Sequence, residues 1–150
     1  GSTGMVGGQA MEMDFRRRGR MSLGDSCGIR HLESLARLKT GALFVASVRC
    51  GALVAGATHD QLSMLTRFAE NIGLAFQIVD DILDKDKDLG QSQQPGESPW
   101  PVSFPDILDT EDARKYAIEL TRAGLDAIEI LGAKADPLRQ LTMELLERAG

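Results

Sequence analysis

Apolar residues recur at three- and four-residue steps along almost the whole chain, the spacing of one face of an α-helix. Between residues 30 and 55, Leu32, Leu35, Leu38, Leu43, Ala46, Cys50 and Leu53 keep this step and predict one long helix, closed by Gly56. Its run "GALFVASVRCGALVAGA" (residues 41–57) reads as a buried helix. The run is interrupted by Arg49 and falls short of the roughly 20 apolar residues that a membrane span needs. Thr58, with Gln61 three places on, is a capping-box pair and predicts the start of the next helix. That helix carries Leu62, Leu65, Phe68, Ile72, Ala75, Val79 and Ile82 on its apolar face and ends near a cluster of aspartates.

The remaining segments are read by their breakers. The opening "GSTGMVGGQAMEMDF" predicts a loop feeding a short helix. Residues 16–28 are polar and punctuated by glycine, so they predict a loop, with Arg16, Arg17, Arg18 and Arg20 as a solvated run. Residues 90–105 contain four prolines and predict a non-helical stretch. Asp109 or Thr110 can cap a helix over residues 111–131, with Tyr116, Leu120, Leu125 and Ile128 turned inward. Asp136-Pro137 is a cap followed by a proline in the first turn, and predicts a last helix to about residue 148. No strand-like alternation and no internal repeat is present, so the expectation is an all-α fold.

Composition sharpens this only in places. With 150 residues, 43% apolar and 26% charged, the chain is long enough for one domain with a real core. Aromatics are only 5%, which favours helix packing over sheet. The net charge of -5 argues against a nucleic-acid partner and leaves room for a bound cation. Cys27 and Cys50 form no CxxC and have no histidine at ligand spacing, so a reduced, cytoplasmic setting is expected and a zinc site is not. His31 and His59 read as structural or exposed. The first residues carry no signal-peptide pattern.

The stretch "FQIVDDILDKDKD" puts five aspartates within the nine residues 80–88. Gln77, Asp80 with Asp81 beside it, and Asp84 make a polar stripe opposite the apolar one. Like charges at this spacing repel, and the C-terminal end of a helix disfavours anions. Either this is a solvated acidic helix end, or a cation belongs there. Mg²⁺ suits it, because that ion takes a few carboxylate oxygens and fills its other positions with water or phosphate. A calcium loop starting at Asp84 fails, with Leu89 where its glycine and Pro95 where its glutamate are needed.

"FQIVDDILD" resembles the second aspartate-rich motif of the trans-isoprenyl diphosphate synthases, the farnesyl and geranylgeranyl diphosphate synthase (polyprenyl synthetase) family. "GMVGGQA" resembles that family's GQ segment, with Glu12 where aspartate is usual. "LKTGALF" resembles its KT motif. The order of the segments agrees as well. The resemblance implies an antiparallel helix bundle of the isoprenoid-synthase type, present over residues 1–150 as its C-terminal half. It implies a Mg²⁺-dependent prenyltransferase that condenses an allylic diphosphate with isopentenyl diphosphate to a short-chain product. Asp80 is then the main metal ligand, supported by Asp81 and Asp84. Lys39 supplies charge to the diphosphate, Thr40 and Gln77 add hydrogen bonds, and Gln9 and Phe76 lie on the substrate side.

Two departures qualify this expectation. The family's first aspartate-rich motif has no counterpart, so the isolated chain is expected to be inactive. It is also expected to form a homodimer or to associate with the missing N-terminal half. After the aspartates, Gln91 and Pro101 stand where the family has lysines, with Lys85 or Lys87 as candidate substitutes. The alternative is a non-catalytic regulatory or scaffold relative.

Overall fold

The computed structural model describes residues 4–18, 25–88 and 103–147, all helical apart from short connections. The helices are α1 (Met5–Arg18), α2 (Asp25–Ala36), α3 (Ala42–Val54), α4 (His59–Asp88), α5 (Phe104–Leu108), α6 (Thr110–Ala127) and α7 (Asp136–Glu147). A π-helical turn, Arg37–Gly41, joins α2 to α3, and a tighter 3₁₀ segment, Glu129–Ala135, joins α6 to α7. None of the described helices is long and apolar enough to cross a membrane.

The 30-residue α4 is the central helix. It packs against α3 on one side and α6 on another, with α5 and α7 against its remaining flanks. The expected apolar stripe is largely buried from Phe68 to Ile82. Leu74 and Ile78 lie off that stripe and are fully buried as well. A helix that is apolar around most of its girth belongs inside a bundle, and α4 takes that place. Two glycines permit its close crossings. A Cβ on Gly73 would come within 3.0 Å of the Gly41 Cα, and one on Gly124 within 2.9 Å of the Ile72 Cδ1.

The ends of the helices follow local chemistry. Thr58 and Gln61 form the expected reciprocal cap of α4, with contacts of 2.9 and 3.3 Å. Asp109, at φ 65°, accepts the Asp112 N–H at 2.9 Å and starts α6. The Tyr116 hydroxyl donates to Glu33 and ties α6 to α2. Burial, and then that carboxylate, push the Tyr116 pKa well up.

Several expectations are corrected. The helix expected over residues 30–55 begins at Asp25 and is interrupted by the π-helical turn. The loop expected over residues 16–28 is helical as far as Arg18 and again from Asp25; residues 19–24 lie outside the described segments. The helix expected to reach residue 131 ends at Ala127, and the chain turns at Gly132 (φ 59°). Phe104 and Pro105, expected in a non-helical stretch, open α5.

The largest difference is in α3. It was expected to be buried, yet Ala52 is its only buried residue, while Leu43, Leu53 and Val54 are 62%, 59% and 91% exposed. Ala46 and Cys50 are exposed too. Periodicity marks an apolar face but not whether a neighbour covers it; among the described residues α4 covers only one side of α3.

Candidate functional site

Lys39 and Thr40 lie in the π-helical turn. A π turn widens the hydrogen-bond ring by one residue and re-aims the side chains around it, and such turns recur at functional sites. The flanking residues Ala36 and Ala42 keep ordinary right-handed dihedrals, so the helix path continues through the turn. Helix α1 packs against it at very short range. A Cβ on Gly8 would lie 2.6 Å from the Lys39 N and 2.8 Å from its Cα, so only glycine fits there. Gln9, the next residue, is exposed, while Lys39 and Thr40 are half-buried.

Across from the turn, α4 presents Gln77. The Thr40 hydroxyl donates to Gln77 Oε1 at 2.7 Å, and Gln77 Nε2 donates to Asp81 Oδ1 at 2.8 Å. The other carboxylate oxygen, Asp81 Oδ2, accepts the backbone N–H of Phe104 at 3.1 Å. A single polar chain therefore links the π-helical turn, α4 and α5. Burial pushes the Asp81 carboxyl above its ordinary value of 3.8; the two hydrogen bonds oppose that shift, and Asp80 and Asp84 add to it.

The three candidate metal ligands are thus not equivalent. Asp81 is half-buried and holds two donors of its own chain. Asp80 and Asp84 are exposed, one helical turn apart on one face. They lie more than one turn before the end of α4 at Asp88, so the helix dipole acts on them less than the sequence suggested. Among the described residues no group of three His, Cys, Asp or Glu side chains converges to hold a metal. Two exposed carboxylates one turn apart are a donor set that fits Mg²⁺, an ion that completes its octahedron with water and phosphate oxygens.

Phe76 faces packing. Its ring lies 5.4 Å from that of Phe44, tilted by 44°, and it borders a small apolar crevice with Thr121 and Thr142. Lys85, considered above as a diphosphate contact, is engaged elsewhere. It donates to the Pro105 carbonyl at 2.8 Å and pairs with Asp106 at 3.2 Å. Lys87's side chain, Gln91 and Pro101 lie outside what the structure describes. The Phe104 N–H did not stand out in the sequence as part of this site, because a backbone donor has no residue signature. Gly8 lies in the segment that resembles the GQ motif, but its contact with the turn was not legible there.

The polyprenyl synthetase family model matches residues 2–97 of the 150. The chain belongs to the polyprenyl synthetase family. Farnesyl diphosphate synthase of Escherichia coli is 42% identical over 124 residues, covering 80% of this chain and 39% of the relative. The chloroplastic heterodimeric geranylgeranyl pyrophosphate synthase large subunit 1 of Arabidopsis thaliana is 37% identical over 144 residues, covering 94% and 37%. The apo structure of an FPP/GFPP synthase from Zymomonas mobilis superposes with a TM-score of 0.77 at 32% identity, covering 97% of this chain and 46% of that one. The geranyltransferase of Legionella pneumophila gives 0.72 at 26%, covering 99% and 46%. These polyprenyl synthetase relatives bear out the all-α fold. The chain spans about two fifths of the length of the two curated relatives and under half of the two solved ones.

Proposed function

We infer that this chain is the aspartate-bearing C-terminal half of a polyprenyl diphosphate synthase. Completed by the rest of the bundle, it joins an allylic diphosphate to isopentenyl diphosphate to give a short-chain trans-prenyl diphosphate. One observation carries this reading: the KT residue Thr40 meets Gln77 of the FQ pair across 37 residues of sequence, and Gln77 in turn meets Asp81. The segments that resemble separate family motifs form one connected site.

In this reading Asp80 and Asp84 hold Mg²⁺, with Asp81 behind them. Bound there, the ion supplies the positive charge that lets a diphosphate approach carboxylates and leave as an anion. Lys39 adds a point charge to the diphosphate. Thr40 and Gln77 orient the reacting end of the substrate, and Gln9 borders it from α1. The exposed stripe of α3 is the side on which the rest of the bundle packs, or on which a second copy docks. The chain alone has no synthase activity.

Gln91 and Pro101, standing where the family usually has lysines, favour the second reading, a non-catalytic partner subunit. Titration of inorganic diphosphate with and without Mg²⁺ separates the two, since a scaffold subunit shows no Mg²⁺-dependent binding. The synthase reading is tested by supplying the missing half from a relative and measuring condensation. Turnover by the isolated chain, or none by a folded, reconstituted enzyme, counts against it.

A further inference from the structure

We propose that α5 is a brace for the site, and that Asp81 is a positioning residue that transmits it: Asp81 joins the Phe104 N–H to Gln77 and fixes the direction of the Gln77–Thr40 hydrogen bond. What this orientation serves in catalysis rests on the function proposed above; the brace itself does not.

Asp81 and Lys85 are one turn apart on α4, and both reach α5. Asp81 Oδ2 accepts the Phe104 N–H at 3.1 Å, and Lys85 Nζ donates to the Pro105 carbonyl at 2.8 Å. The segment they hold is also tied at its own start. The Ser103 N–H and hydroxyl both donate to Asp106 Oδ2, at 2.9 and 2.8 Å, and Phe104 is 1% exposed in the core. An N–H in the first turn of a helix has no intrahelical acceptor, so Phe104 needs one from outside, and Asp81 supplies it.

The other oxygen of Asp81 decides the rest. Gln77 Nε2 donates to Asp81 Oδ1 and Gln77 Oε1 accepts from Thr40, so the amide lies with its NH₂ towards the carboxylate and its carbonyl towards the hydroxyl. The opposite orientation of the amide would set its carbonyl against the carboxylate. The single hydroxyl proton of Thr40 is then committed to Gln77, which leaves the Thr40 oxygen as an acceptor for anything bound beyond it.

The test uses NMR on the chain as it exists. In the wild type, the Phe104 amide should exchange slowly, and one Gln77 side-chain NH should be shifted by the carboxylate. Asp81→Ala should speed Phe104 exchange about tenfold or more, as expected for a lost hydrogen bond to a charged group, and abolish the Gln77 shift while the spectrum stays dispersed. Thr40→Val should keep the Gln77 shift, because Asp81 holds the amide. Asp80→Asn should change neither signal. If Asp81→Ala does not fold, Lys85→Met is the second variant, and it should speed exchange at Ile107 and Leu108. Unchanged Phe104 exchange and an unchanged Gln77 signal in Asp81→Ala, or unchanged α5 exchange in Lys85→Met, overturn the brace. A normal rate for Asp81→Asn in a reconstituted synthase, with the NMR result upheld, would instead reject the catalytic use of Thr40 and Gln77.

Discussion

Replacing Gly8 with alanine tests the close seat of α1 on the π-helical turn. The added Cβ would lie 2.6 Å from the Lys39 N and 2.8 Å from its Cα, both backbone atoms that no rotamer change can clear. Restoring ordinary contact near 3.5 Å requires α1 to lift by about 1 Å, which forfeits much of the dispersion across the pair. Overpacking of this kind costs about 1–3 kcal/mol, and the better helix propensity of alanine returns about 1 kcal/mol. The net expectation is a loss of about 1 kcal/mol, a few degrees in Tm. Gly51→Ala is the matched control. Gly51 sits in α3 where an added Cβ would meet nothing within 4 Å beyond its own stretch of helix, so only the propensity gain of about 0.5–1 kcal/mol applies. Urea and thermal melts of the two variants should therefore move in opposite directions. Faster hydrogen exchange in α1 alone would mark Gly8→Ala as a local undocking. If Gly8→Ala stabilises the chain as much as Gly51→Ala does, α1 does not press on the π-helical turn.

Three further outcomes are expected. Asp80→Asn removes a like-charge repulsion, so metal-free stability should stay level or rise by a few tenths of a kcal/mol, while the rate of a reconstituted synthase falls by orders of magnitude; a destabilised protein with a normal rate would make the aspartates structural. Burial works against the Asp106 charge, but the Ser103 N–H and hydroxyl and the Lys85 ammonium outweigh it and hold the carboxyl below 3.8. Its contribution is therefore present above pH 3.8 and lost as the pH falls through the lowered value. Asp106→Asn should thus be less stable than wild type near neutrality and converge with it in acid, and parallel melting curves at all pH values would reject this. Leu43 and Leu53, 62% and 59% exposed, should make the isolated chain self-associate, and Leu43→Lys with Leu53→Lys should return light scattering to the monomer value.

Helix content was legible in the sequence because each helix carries its own period and its own cap. Thr58 with Gln61, Asp109 with Asp112, and the apolar stripe of α4 act within a few residues, so local order specifies them. The candidate residues were legible through the resemblance of three segments, each read on its own. The sequence could not say which of the three aspartates turns inward. Asp80, Asp81 and Asp84 have the same chemistry, and their difference arises only when α5 brings the Phe104 N–H to Asp81. Likewise, Leu43 and Leu74 look alike as apolar helix positions, yet one is 62% exposed and the other 0%. Hydrophobic spacing marks a face, and only the neighbour that covers it decides burial. The π-helical turn follows the same rule: Lys39 and Thr40 fit an unbroken helical pattern, and it is in the packed structure that Gly8 and Gly73 let α1 and α4 close on the turn from two sides.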